Sequence, residues 1–178
     1  MRLVFIFSFC ILLTGCSSRD SSPDISVSGK KKYPDQEIWD GKIEVTSDGR
    51  RQSVVQAGHI LSFERDKITI FRKDVKVDFY DKSGELQSVL TSDSARIEEK
   101  RDLFVALGNV VVVSENGDVL KTERLYWDRK LQEVSSDTLV VLTTELDSLQ
   151  GYDFVSNEDL TSWTLRNPTG QTFRQRRE

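Results

Sequence analysis

The sequence predicts an all-β protein: an antiparallel, folded-over sheet or β-jellyroll made of repeated strand units. Three observations carry that reading. Apolar and polar residues alternate with a period of two through "KITIFRKDVKVDFYDKSG" (67–84), the pattern of half-buried strands. Asp48-Gly49, Ser83-Gly84 and Asn116-Gly117 each punctuate β-prone runs, as hairpin turns do. Similar strand–turn–strand units also return roughly every 30–33 residues.

The chain opens on a leader. Arg2 is followed by an almost wholly apolar run from Leu3 to Leu13. That run suits a signal peptide and falls short of the roughly 20 residues that cross a bilayer. Leu13-Thr14-Gly15-Cys16 resembles the bacterial lipobox. The resemblance implies cleavage after Gly15, a diacylglycerol thioether on Cys16 and acylation of the new amine. Residues 1–15 are therefore read as a lipoprotein signal peptide, and Cys16 as the lipid attachment site. Each buried methylene contributes about 0.8 kcal/mol, so several acyl chains hold a protein stably on a membrane.

The two cysteines are Cys10, inside the leader, and Cys16. The mature chain then has no thiol for a disulfide or a metal site. No second histidine accompanies His59, which is read as a packed or edge residue, and neither a metal nor a cofactor is expected. Removing Arg2 leaves 24 basic against 29 acidic side chains, a net charge of −5. That balance argues against nucleic acid as a partner.

Residues 16–36, "CSSRDSSPDISVSGKKKYPDQ", are rich in Ser, Pro, Gly and charge and form a flexible tether with a reach of roughly 25 Å. Residues 37–165 form one β domain. Within it Ile68, Ile70, Val75, Val77 and Phe79 share one face, and Lys76 and Asp78 point away. Of three prolines none lies between Pro34 and Pro168, so strands can run uninterrupted. Ser92–Arg101 has one large apolar residue, Ile97, and reads as strand and turn rather than helix. In the clearest pair of repeats Gly84 answers Gly117, Thr91 answers Thr122 and Ile97 answers Trp127. Trp163 and Leu165 close the last unit, and residues 166–178 read as a basic, solvated tail.

From Gly108 onward the residues resemble the LptC family, the periplasmic component of lipopolysaccharide export. The likeness rests on Gly108 and Val110 at a strand start, Thr122 before a strand, Asp128 in a turn, the β-rich stretch 135–141 and Gly151. It extends over about residues 38–165 and is shared in part by the OstA-like proteins LptA and LptD. The lipobox stands where better-known members carry a transmembrane helix. The resemblance implies an OstA-like fold with an apolar trough for lipopolysaccharide. The lining is assigned to Val75, Val77, Phe79, Ile97, Val110, Val112, Trp127 and Phe154, the alternative being an ordinary dry core. It implies further partners: an inner-membrane ABC transporter that supplies lipopolysaccharide and an LptA-like bridge protein that receives it. Gly151, Tyr152 and Phe154 are taken as the partner edge. Gly151→Arg is expected to leave the domain folded and weaken docking, unless Gly151 is a plain turn glycine.

The expected place is the periplasmic face of the inner membrane, although Ser17 after Cys16 favours the outer membrane. Two other readings stand beside the carrier. One is an OstA-like structural or interaction lipoprotein without lipid cargo. The other is a polysaccharide-acting enzyme using Glu98-Glu99 or Glu145 with Asp147. These acids fall in polar turns, and the chain has neither a Gly-x-Ser-x-Gly elbow nor a phosphate loop. It is read as not an enzyme.

Overall fold

Alternation becomes burial where it was strongest: Val75 and Val77 are 1% exposed, while Lys76 between them faces solvent. A computed structural model describes residues 33–172 except Asp48 and Asp159. The leader, Cys16, the tether through Lys32 and the last six residues lie outside the described residues.

The described chain is almost entirely strand: β1 (Gln36–Ser47), β2 (Arg50–Phe63), β3 (Ile68–Tyr80), β4 (Leu86–Glu98), β5 (Leu103–Ser114), β6 (Val119–Asp128), β7 (Glu133–Ser136), β8 (Val140–Thr143), β9 (Asp147–Asn157) and β10 (Trp163–Thr172). A single 3₁₀ turn, Glu99–Arg101, links β4 to β5. Every pairing is antiparallel, and sheet order follows chain order, with β7 and β8 end to end in one position between β6 and β9. Gly49, Gly84 and Gly117 take positive φ in the hairpin turns that the sequence marked.

A crease crosses this sheet at mid-strand. Asp40 in β1, Lys73 and Asp74 in β3, Gly108 and Asn109 in β5, Asp153 in β9 and Asn167 in β10 all have positive φ. The ladder shifts register at matching levels: Gln56/His59, Arg72/Val75, Thr91/Ser94, Leu107/Val110 and Arg166/Thr169. Extra residues bend a strand, and a row of them in register bends the whole sheet. Gly, Asn and Asp tolerate the left-handed backbone best, which explains their recurrence along this line.

The fold doubles the sheet onto itself. Phe79 on β3 and Trp127 on β6 meet edge to face with ring centroids 5.2 Å apart. Three strand spacings in a flat sheet would separate them by about 14 Å. Residues on either side of the crease, such as Val55 and Ile60 of β2, share one core with Phe71, Leu90, Leu120 and Phe154. At the crease, hydroxyls satisfy backbone that the ladder leaves open. Thr122 Oγ1 donates to the Leu139 carbonyl at 3.0 Å and lies 2.9 Å from Ser136 Oγ and 2.8 Å from Thr138 Oγ1. In the preceding hairpin that part is played by Ser92, whose Oγ donates to the Ser94 carbonyl at 3.0 Å. The repeat therefore aligns Thr122 with buried Ser92, one residue past exposed Thr91.

Two expectations are corrected. β10 runs beyond residue 165 to Thr172, so paired strand occupies the start of the presumed tail. Pro168 is accommodated inside β10 because it falls in the register shift between Arg166 and Thr169 and β10 is an edge strand. Gly151, Tyr152 and Phe154 do not form an edge. They lie on β9, which pairs with β7 and β8 on one side and β10 on the other, and Phe154 is 1% exposed. Gly151 is not in a turn. A Cβ there would lie 2.7 Å from the Arg166 carbonyl oxygen and 2.7 Å from Leu165 Cγ, so close approach of β10 is what requires glycine.

Candidate functional site

The two layers part as they leave the crease, and a cavity of about 630 Å³ opens between them. Its floor is Leu90, Val112 and Leu120 from one layer and Phe104, Leu125 and Val134 from the other. A smaller cavity of about 90 Å³ lies beside it, bordered by Val55, Val77, Ile97 and Leu103. Phe79, Phe104 and Trp127 face both spaces and stand between them. Trp127 packs edgewise on Phe104 (centroids 6.5 Å) as well as on Phe79, and its Nε1 donates to Glu158 Oε1 at 2.6 Å. The aromatic wall is thus tied across both layers.

Five of the eight residues expected to line a trough do border these spaces: Val77, Phe79, Ile97, Val112 and Trp127. Val75, Val110 and Phe154 border neither and are each 1% exposed. They sit next to the crease, where the layers converge and side chains fill the wedge. Alternation gives a residue its face but not its distance from the crease. Phe104 was missed because Leu103 to Ala106 is buried without interruption, which erases the period-two signal. Leu90 and Leu120 carried the signal, standing opposite Val112 on its two neighbouring strands.

The mouth of the larger cavity is made by turns from both layers. Arg50, Arg51 and Gln52 follow the β1–β2 turn, Asp81 and Lys82 open the β3–β4 turn, and Arg129, Lys130 and Gln132 form the β6–β7 turn. Arg51 Nε donates to Glu44 Oε1 at 2.8 Å, and its guanidinium lies 5.4 Å from the Tyr80 ring centroid. The hydrogen bond and charge of Glu44 raise the Arg51 pKa above its usual value. Asp81 Oδ1 accepts from the Ser83 hydroxyl (2.7 Å) and from the backbone N–H groups of Ser83 (2.8 Å) and Glu85 (2.9 Å). These bonds, that of the Ser83 hydroxyl first, hold its carboxyl below the usual range. Arg129 spans the gap between the layers, with Nη2 3.5 Å from Gln52 Oε1.

The remaining candidates lie elsewhere. His59 stacks on Trp39 at 4.0 Å, and its Nε2 lies 2.7 Å from Glu37 Oε1 on the outer face of β1 and β2. Glu98 pairs with Arg96 at 2.8 Å and Arg101 at 3.2 Å. Asp147 is buried at the start of β9, and Glu145 is exposed in the preceding turn. Among the described residues no three His, Cys, Asp or Glu side chains gather as metal ligands. Nor, among them, is any helix long and apolar enough to cross a membrane.

Comparison with known proteins adds the following. A family model described as lipopolysaccharide-assembly, LptC-related, matches residues 3–169. The crystal structure of LptH from Pseudomonas aeruginosa, described as the LptA-homologous periplasmic component of the conserved lipopolysaccharide transport device, has a similar fold. Its TM-score is 0.52 at 14% identity, covering 64% of this chain and 80% of that one. Curated protein sequences gave no match.

Proposed function

The chain belongs to the LptC-related lipopolysaccharide-assembly family and has its role in lipopolysaccharide transport; from that premise we propose that it is a periplasmic carrier, lipid-anchored through Cys16 at the inner membrane. It accepts lipopolysaccharide from the inner-membrane ABC transporter and passes it to an LptA-like bridge protein. One observation carries the reading: the cavity floored by Leu90, Val112, Leu120, Phe104, Leu125 and Val134 is rimmed by polar turns from both layers. Its volume falls in the usual ligand range of roughly 300–1,000 Å³. Acyl chains crossing an aqueous compartment lose about 0.8 kcal/mol for each methylene left in water, and an apolar floor removes that cost. The sugar stays at the mouth, in water.

The edge offered to the bridge protein is β10. Its outer N–H and C=O groups have no strand beside them among the described residues, and β-augmentation uses such groups. Gly151 acts on that edge from behind, by letting β10 lie close.

Photo-crosslinking residues placed at Phe79 or Val112 capture lipopolysaccharide in cells on this reading. At Lys76, on the outer face, and at Val110, in the filled wedge, they do not. Capture at all four positions, or at none, refutes an interior path.

A further inference from the structure

The cavity mouth carries a charge that the carrier reading does not use. The whole chain is acidic, with 25 Lys and Arg against 29 Asp and Glu, yet the mouth collects five cations against three acids. The three acids are engaged. Asp81 is held inside its own turn by Ser83 and Glu85. Glu158 accepts from Trp127, and Asp102 faces Lys130 only at 3.7 Å. Among the cations, Arg51 is committed to Glu44. Arg50, Lys82 and Arg129 remain, with Lys130 held only by its long pair with Asp102, and these four come from three separate turns on both layers. A solvated charge run would lie along one segment; these residues converge from distant ones onto one opening. Directly beneath them the surface is aliphatic and aromatic. Arg129 is held across the opening only by a bond at the limit of hydrogen-bond length, so a stronger acceptor would take it from Gln52.

An apolar floor under a cationic rim is complementary to an amphiphile with an anionic head. We infer that Arg50, Lys82, Arg129 and Lys130 bind the phosphorylated sugar headgroup of the glycolipid whose acyl chains occupy the cavity. This rests on the carrier reading and adds the part of the ligand recognised by charge. Guanidinium groups suit phosphate because they present paired N–H donors in a plane, and ammonium groups add point charge. A neutral sugar would leave the rim unused.

The test is equilibrium binding of fluorescently labelled lipids to the full chain at two salt concentrations. The probes are lipid A bearing its phosphates, the same lipid A with phosphates removed, and phosphatidylglycerol. Arg129→Gln/Lys130→Gln should weaken the phosphorylated probe by at least about fivefold at low salt, with a smaller loss at high salt. Lys82→Gln should act in the same direction. Binding of dephosphorylated lipid A should not change in either. Arg129→Lys/Lys130→Arg keeps the charges and should lose less than the Gln pair, and Lys121→Gln on the exposed face of β6 should bind as wild type does. Equal losses for both lipid A forms, or none for either, overturn the inference. So does phosphatidylglycerol binding as tightly as phosphorylated lipid A with the same response to the variants, since the head would then be any lipid phosphate. If wild type binds neither form of lipid A, the carrier reading fails as well. If it binds both forms and the variants change neither, only the headgroup inference fails.

Discussion

Gly151→Ala tests whether β9 and β10 are joined as the structure has them. The added Cβ would lie 2.7 Å from Arg166 O and 2.7 Å from Leu165 Cγ, against an ordinary contact of at least 3.4 Å. β10 must therefore retreat by about 0.7 Å along a stretch where Arg166 opposes Tyr152. Overpacking of this kind costs about 1–3 kcal/mol. The unfolded-state advantage of alanine returns only about 0.4–1 kcal/mol. For a folded unit of about 140 residues the unfolding entropy is about 0.3 kcal/mol/K, so each kcal/mol shifts the melting point by about 3 °C. At the middle of both ranges the net cost is about 1.3 kcal/mol, and the expected loss is about 4 °C by circular dichroism. Amide exchange should locate it: residues 163–166 lose protection while β3–β6 keep theirs. Gly151→Arg should act in the same direction and further, and docking should weaken because the edge is displaced. A melting point within about 1 °C of wild type, with β10 still protected, refutes this packing.

Three further expectations follow from the same geometry. Phe154→Ala, in the filled wedge, should cost about 3–5 kcal/mol in urea unfolding, while Leu125→Ala, which already borders open space, should fall near the low end of about 2–5 kcal/mol; equal costs would mean that the layers do not diverge. Because hydrogen bonds depress the Asp81 carboxyl, its stabilisation of the β3–β4 turn is present above the unfolded pKa and lost as pH falls through the lower folded value. Its NMR titration midpoint should lie below 3.8 and rise in Ser83→Ala, and a midpoint unmoved by that substitution would contradict the assigned cause. Cys16→Ser should abolish incorporation of labelled fatty acid and release or arrest the precursor, and equal labelling of mutant and wild type would end the anchor assignment.

Hairpin turns and strand faces were legible because their signals are local. Gly49, Gly84 and Gly117 take a backbone that only a few residue types adopt, and alternation through Val75, Val77 and Phe79 reports a face directly. The crease left its mark too, as Asp, Asn and Gly at Asp40, Asp74, Gly108, Asn109, Asp153 and Asn167. Each residue in isolation resembles a turn signal inside a strand. Only the pairing register shows that they fall on one line.

The amino-acid order by itself determined the β class, the turns and the faces of the strands. All of these depend on a few adjacent residues. Tertiary structure decided which inward-facing residues border space and which fill the wedge. Val110 and Val112 look alike in sequence, but one lies against the crease and the other where the layers have parted. It also decided that β10, not β9, is the edge, and that cations from three turns meet at one mouth. The reason is the same in each case. Folding the sheet brings together residues dozens of positions apart, and no local pattern encodes the distance between layers.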